Sequence, residues 1–286
     1  MKFLIILLLC ILAASKVTLQ SVFSKKENIT PQNNLFFNAI MFSTISIIFF
    51  PTIIKNGITA ATFMHGIIMG ILSVLFQYFY IIAFNRGKMA LTVIINNFSM
   101  LIPVCVSFFL FDENINVLKI IGLVLVLISF YLNVNQSENA NKSNDIIWLI
   151  CVMAVFTFNG LISVNQKIYS MYNKDFQIFE FIAVSYIVAS ILSWGMFFII
   201  SKDKKASCRP RLIFSGSMCG ILLGIFQCLN TYAASVIPGT ILYPLYNCGT
   251  SVMITLIGRL FLKEHLSARQ KTGVVIGIIA IACMSL

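Results

Sequence analysis

The chain has 286 residues, of which 59% are hydrophobic and only 10% are charged, and its mean hydropathy is +0.95. Soluble domains carry about 25% charged residues, so this composition excludes a soluble protein and predicts an integral membrane protein. The net charge of +11 would suggest nucleic acid as the partner of a soluble chain. Here, however, the basic residues lie in short connectors between apolar runs, where such charges set topology and face anionic lipid. We therefore expect the lipid bilayer, and no nucleic acid, as a partner.

Ten apolar stretches, each near or above the ~18 residues needed to span a bilayer, follow one another with short polar breaks. They cover residues 2–24, 34–56, 61–84, 89–111, 117–134, 146–170, 177–201, 211–234, 239–261 and 268–286. We interpret the first as an uncleaved helix, although it resembles a signal peptide. The pattern predicts ten transmembrane helices in a multi-pass protein of the cell membrane, plasma or inner.

The sequence contains the same pattern twice. Gly66 to Gln77 reappears as Gly216 to Gln227, with both glycines and the Phe-Gln pair in register. Such self-similarity indicates a duplicated unit. We assign residues 1–135 to a first repeat, 136–145 to a polar linker and 146–286 to a second repeat. Because each repeat has five helices, the second must enter the membrane from the opposite side. The predicted fold is all-α, with ten transmembrane helices as two inverted five-helix repeats around a central cavity.

Uncharged polar residues in the middle of four helices are the best candidates for a substrate site. A polar side chain in hydrocarbon is unfavourable without a partner, so these faces should turn inward and meet near the midplane. The alternative, that these groups only hold helices together, stays open. The candidate substrate-binding residues are Gln77, Tyr80, Asn96, Asn97, Gln227, Asn230, Tyr243, Tyr246 and Asn247.

Two prolines and two charges complete the candidate site. Pro103 and Pro244 interrupt the fourth and ninth helices and can act as gates or as static kinks. Lys16 lies well inside the first helix, where it either faces the cavity or extends to the interface. Glu180 lies one turn into the seventh helix, as an interfacial carboxylate or as a site of proton coupling.

Enzyme chemistry finds little support in the sequence. The nine acidic residues lie nearly all in connectors, and no Ser/His/Asp set or HExxH motif is present. The cysteines are scattered singly, and His65 and His265 have no partner at metal-ligand spacing. We expect no enzyme activity, no cofactor and no metal site. No nucleotide-binding motif occurs either, so energy would come from a gradient or from exchange.

Both halves end in a similar connector, with a glycine nine residues after a glutamate: Glu113 to Gly122, and Glu264 to Gly273. This pattern, with Gly160 to Lys167 on the sixth helix, resembles the EamA-like members of the drug/metabolite transporter superfamily. The first helix departs from the Gly-to-Lys pattern, with Ala14 and Ser21 at the matching places. The resemblance implies ten helices around a central cavity and export or exchange of small metabolites. The related small multidrug resistance proteins use an acid in their first helix, and neither the first nor the sixth helix has one here.

The sequence thus predicts a secondary transporter that moves a small polar or amphipathic metabolite by alternating access, with efflux favoured by the resemblance. Its partners would be the small-molecule substrate and protons or a counter-substrate, and we expect a monomer. The alternative is a non-transporting membrane receptor or scaffold that retains the fold. For orientation, the connectors after odd-numbered helices hold thirteen Lys and Arg, against five on the other side: Lys2, Lys55, Lys119, Lys167 and Lys174. This count favours both termini outside, whereas the resemblance favours both in the cytoplasm.

Overall fold

The computed structural model describes residues 2–27, 31–86, 89–111, 113, 116–133, 146–172, 176–200, 210–260 and 267–285. These residues form eleven α-helices and no strand, which confirms the all-α prediction. In chain order the helices are α1 Lys2–Glu27, α2 Pro31–Asn56, α3 Ala60–Arg86, α4 Met89–Phe98, α5 Leu101–Phe111, α6 Val117–Asn133, α7 Ile146–Tyr172, α8 Ile178–Ile200, α9 Pro210–Val236, α10 Gly239–Leu260 and α11 Ala268–Ser285.

The helices follow the predicted apolar stretches closely. Within the described ranges, eight segments are long and apolar enough to cross a membrane by length and composition, and α6 adds a shorter apolar helix. Large apolar side chains on the outer surface are uncovered, as lipid-facing residues are; Ile199 is 85% exposed and Phe109 is 75% exposed. A multi-helix membrane protein is therefore supported, whereas the full count of ten spans stays a prediction.

The fourth predicted span consists of two helices, α4 and α5, separated at Ser99 and Met100. Pro103 explains the interruption, because proline has no backbone N–H and its ring clashes with the carbonyl four residues earlier, which is that of Ser99. The Ser99 carbonyl accepts a hydrogen bond from the Ile102 N–H at 3.1 Å instead. The chain is thus bent immediately after the predicted site residues Asn96 and Asn97.

Helix packing repeats with the two halves exchanged. Helix α2 packs along α8, and α6 packs along α11, so each of these helices meets its own counterpart in the other repeat. Helix α3 contacts α7 and α8, and its counterpart α9 contacts α1 and α2. The two contacts of α3 with the opposite half are therefore repeated by the two contacts of α9.

Glycines allow the closest of these approaches. A Cβ atom added at Gly70 of α3 would lie 2.5 Å from the Ser185 carbonyl oxygen of α8. A Cβ atom at the repeat-related Gly220 of α9 would lie 2.6 Å from the Met41 carbonyl oxygen of α2. Such small residues let membrane helices bring their backbones together. The repeated glycines of the sequence thus hold α3 and α9 against the opposite half.

Candidate functional site

One polar face of α7 lies at the centre of the candidate site. Asn159, Ser163 and Gln166 follow one another at intervals of four and three residues, which places them on one side of a helix. Each of the three contacts a different part of the chain that the sequence singled out. None of the three is among the predicted substrate-binding residues, although their spacing within an apolar helix was a usable signal.

Asn159 joins α7 to the break between α4 and α5. Its Nδ2 atom donates a hydrogen bond to Asn96 Oδ1 at 3.2 Å and to Ser99 Oγ at 2.7 Å. Asn97, the neighbour of Asn96, is half-buried, and its side-chain amide has no hydrogen-bond partner in the described residues. The bend at Ser99 is thus connected directly to one of the predicted amides.

Ser163 joins α7 to α10. The Tyr243 hydroxyl donates a hydrogen bond to the Ser163 carbonyl at 2.9 Å. The ring of Tyr246 lies against that of Tyr243, with centroids 6.2 Å apart. Asn247 Nδ2 donates to the Tyr243 carbonyl at 2.8 Å, and α10 continues through Pro244. Tyr243, Tyr246 and Asn247 therefore form one group, while a gating role for Pro244 stays a prediction.

Gln166 joins α7 to α9 and is 1% exposed. Its Nε2 atom donates to Gln227 Oε1 at 2.9 Å and to Thr231 Oγ1 at 3.1 Å. Its Oε1 atom accepts from Asn230 Nδ2 at 2.9 Å. Both N–H groups of the Gln166 amide therefore have acceptors. Gln166 thus contacts both Gln227 and Asn230, which the sequence predicted to share a face, although Gln166 itself was not predicted.

Gln77 of α3 has a side chain outside this network. It shares a face with Gly66, Gly70 and the buried Ser73, but its side chain is half-buried and makes no hydrogen bond within the part of the chain that the structure describes. Tyr80 stacks on Phe76 with ring centroids 5.4 Å apart. A half-buried amide without a partner is available to a ligand, unlike the amide of Gln166.

Lys167, beside Gln166, carries a buried charge. Its side chain is 3% exposed, and its Nζ atom lies 3.2 Å from Glu113 Oε1. The same ammonium group donates to the carbonyls of Ala234 at 3.0 Å and Ile237 at 3.1 Å, at the end of α9. The topology count treated Lys167 as a connector charge, and the structure shows that it is an interior residue.

Glu113 holds the beginning of α10. Its carboxylate accepts hydrogen bonds from the backbone N–H groups of Gly239 and Thr240, both at 2.9 Å, and from the Thr240 hydroxyl at 2.9 Å. A negative charge is favourable at a helix N-terminus, where N–H groups are unpaired. Lys167 and Glu113 together fasten α7 and the end of α5 to the turn between α9 and α10.

Glu180 lies apart from these groups, in the first turn of α8. It is 3% exposed and accepts a hydrogen bond from Asn56 Nδ2 at 2.6 Å. Both residues line an open cleft of about 350 Å3, together with residues 176–179. The carboxylate is therefore buried but lies next to a cleft that reaches the surface, and its role in proton coupling stays a prediction.

Lys16 lies fourteen residues after Lys2 and eleven before Glu27, near the middle of α1. Leu9, one heptad earlier and so on nearly the same side, is fully buried. Lys16 itself is only half-buried, and within the described ranges it has neither a hydrogen bond nor an ion pair. Helix α1 packs against α9 and α10, so the side of α1 that carries Leu9 and Lys16 faces the bundle.

Apolar helices that enclose polar side chains from several spans define a multi-pass membrane protein. The model of the EamA-like transporter family matches the chain twice, over residues 3–135 and 146–286. The chain therefore belongs to the EamA-like transporter family, and the resemblance to these proteins is confirmed.

The relatives add the fold but no substrate. An uncharacterized protein from Haemophilus influenzae is 23% identical over 188 residues, which is 65% of this chain and 62% of the relative. The match thus spans less than two thirds of that protein's length. One crystal structure superposes with a TM-score of 0.77 at 14% identity, over 99% of this chain and 96% of the other. At that identity the likeness shows a shared fold alone.

Proposed function

We propose that the protein is a secondary transporter that carries a small polar or amphipathic metabolite out of the cell by alternating access. Its ten spans form two inverted five-helix repeats around a central cavity in the plasma or inner membrane. The protein acts as a monomer, and a proton gradient or a counter-substrate drives the movement. This arrangement is the one in which carriers hold a substrate near the midplane, where one repeat moves against the other.

The polar face of α7 is the observation that carries this proposal. Asn159, Ser163 and Gln166 contact groups from the α4–α5 break, α10 and α9. These hydrogen bonds hold four interior segments together around polar groups, and we infer that the half-buried amides without a side-chain partner in the described residues, Asn97 and Gln77, serve a ligand. Uncommitted amides beside them, such as Gln77, provide the groups that a polar substrate would need.

The contacts of Lys167 and Glu113 support alternating access. They join the ends of α5, α7 and α9 and the start of α10, all at one end of the bundle. A carrier must close its site on one side while it opens on the other. We infer that this end is closed in the structure, and that opening it separates Lys167 and Glu113 from the turn at Gly239.

The test begins with the substrate. Untargeted metabolite profiles of spent medium, from cells with and without the gene, should differ in a small set of exported compounds. Each candidate is then offered to proteoliposomes that contain the purified chain, and flux that depends on the protein is expected. Binding of a candidate without flux would favour the receptor or scaffold alternative.

A further inference from the structure

We propose that the transported metabolite is an organic anion and that Lys16 binds its anionic group. This inference rests on the proposed transport function and names the substrate class of the same site. The structure provides a cation on the inner side of α1, and neither of the two acidic side chains that it describes, Glu113 and Glu180, pairs with it.

The position of Lys16 carries the first step. It lies near the middle of a helix of 26 residues, on nearly the same side as the fully buried Leu9. Lys16 falls inside the apolar span of α1, which runs from Lys2 to Gln20. Charged residues at such depth face the bundle interior and mark the path of an ion or substrate.

The surroundings of Lys16 carry the second step. Two acidic side chains of the described residues lie buried at one end of the bundle, and both are engaged elsewhere: Glu113 by Lys167, and Glu180 by Asn56. Lys16 has no ion pair or hydrogen bond in the described ranges. A charge on the inner side of a membrane helix is unfavourable without a counter-charge, and a bound anion offsets part of that cost. The missing counter-charge is thus assigned to the substrate.

The packing of α1 is the third step. Helix α1 packs against α9 and α10, and Cys10 Sγ lies 3.6 Å from the Tyr246 carbonyl oxygen of α10. Lys16 and Tyr246 are both half-buried. A small molecule between these helices can therefore place its anionic group at Lys16 and its polar or aromatic part near Gln227 and Tyr246.

Carboxylates and phosphate monoesters both carry an anionic group that a lysine can bind, so the test uses one of each. Each anion is compared with an uncharged analogue of similar size, its neutral twin. The purified full-length protein is heated in detergent with succinate or succinamide, and with glycerol 3-phosphate or glycerol. We expect at least one anion to raise the unfolding temperature and its neutral twin to leave that temperature unchanged. The anion that raises the unfolding temperature shows whether the site binds a carboxylate or a phosphate monoester.

Variants then connect the effect to Lys16. Lys16→Gln should weaken the apparent affinity for the stabilising anion by tenfold to a hundredfold, and Lys16→Arg should retain most of it, because a charged hydrogen bond is lost in the first alone. Lys55→Gln, at an exposed position near the end of α2, is the matched control and should bind as the native protein does. Without ligand, Lys16→Gln should unfold at a higher temperature than the native protein, because the unpaired cation is gone.

Several results would overturn the inference. Equal stabilisation by neutral twins, no stabilisation by either anion, or native affinity in Lys16→Gln would each exclude an anion at Lys16. A lower unfolding temperature of ligand-free Lys16→Gln would make Lys16 a structural residue. Flux of a neutral metabolite in proteoliposomes would contradict an anionic substrate but would support the transport function. The absence of any flux would contradict both.

Discussion

Lys167 Nζ lies 3.2 Å from Glu113 Oε1, although 54 residues separate the two in the chain. Each partner also holds one side of the same turn, since Lys167 binds the last carbonyls of α9 and Glu113 binds the first N–H groups of α10. The charges therefore complement the dipoles of both helix ends. This pair is an interior contact between the two repeats at that end of the bundle.

Loss of one partner of this pair should destabilise the protein. We expect Lys167→Met to lower the free energy of unfolding by about 3–5 kcal/mol, because Glu113 is left largely buried without its cation. Lys55→Met removes an exposed charge and should stay within about 0.5 kcal/mol of the native value. Unfolding by denaturant in detergent measures both. Equal effects of the two substitutions would show that the ion pair contributes nothing.

The glycine contacts predict a second difference in stability. Gly70→Ala should lower the free energy of unfolding by about 1–3 kcal/mol, because the new methyl group overlaps the Ser185 carbonyl and forces α3 from α8. Gly220→Ala should have a similar effect through Met41. At Gly195 no atom lies within 4 Å of an added Cβ, so alanine there should stabilise α8 by about 0.5–1 kcal/mol. A large difference between Gly70→Ala and Gly220→Ala would contradict the repeat-related packing.

Two glutamines should separate structural from substrate-binding amides. Gln166→Ala should lower the unfolding temperature, because three hydrogen-bonded partners lose their contacts. Gln77→Ala should leave that temperature nearly unchanged and weaken substrate binding by about tenfold to a hundredfold. Thermal unfolding and binding of the exported compound, measured on the same samples, check both. Lower stability with native affinity in Gln77→Ala would remove it from the site.

The sequence predicted the features that depend on residues within a single helix. Hydropathy placed the helices to within a few residues, and repetition singled out Gly66, Gly70, Gly216 and Gly220. Side-chain partners depend on how helices pack, and these were missed: Lys167 was counted as a connector charge. The α4–α5 break was predicted only as a kink at Pro103, because the sequence does not show that the Ser99 carbonyl bonds to Ile102.

Glu180 should reveal the coupled ion. Glu180→Gln preserves the size of the side chain and a carbonyl acceptor for Asn56, so the protein should fold. If the carboxylate carries the coupled proton, the pH dependence of uptake should vanish while exchange of substrate for substrate continues at the native rate. Flux into proteoliposomes, measured over about one pH unit on each side of neutrality, checks this. An unchanged pH dependence would leave exchange or another ion as the driving force.

Alternating access requires that the end of the bundle at Lys167 and Glu113 opens during each cycle, and a reversible lock tests this. Ser107 Cβ of α5 lies 3.0 Å from the position of a Cβ atom at Gly239 of α10, so a small shift brings the two to the ~3.8 Å of a disulfide. The double variant Ser107→Cys/Gly239→Cys should therefore close this end when it is oxidised.

The measurement is flux of the exported compound in proteoliposomes, before and after treatment with dithiothreitol. The single variants Ser107→Cys and Gly239→Cys are the controls for the added thiols and for the native cysteines, and oxidation should not affect them. In the double variant, we expect oxidation to abolish flux and reduction to restore it, with substrate binding retained throughout. Undiminished flux through the oxidised double variant, with the cross-link verified by mass spectrometry, would contradict transport by alternating access.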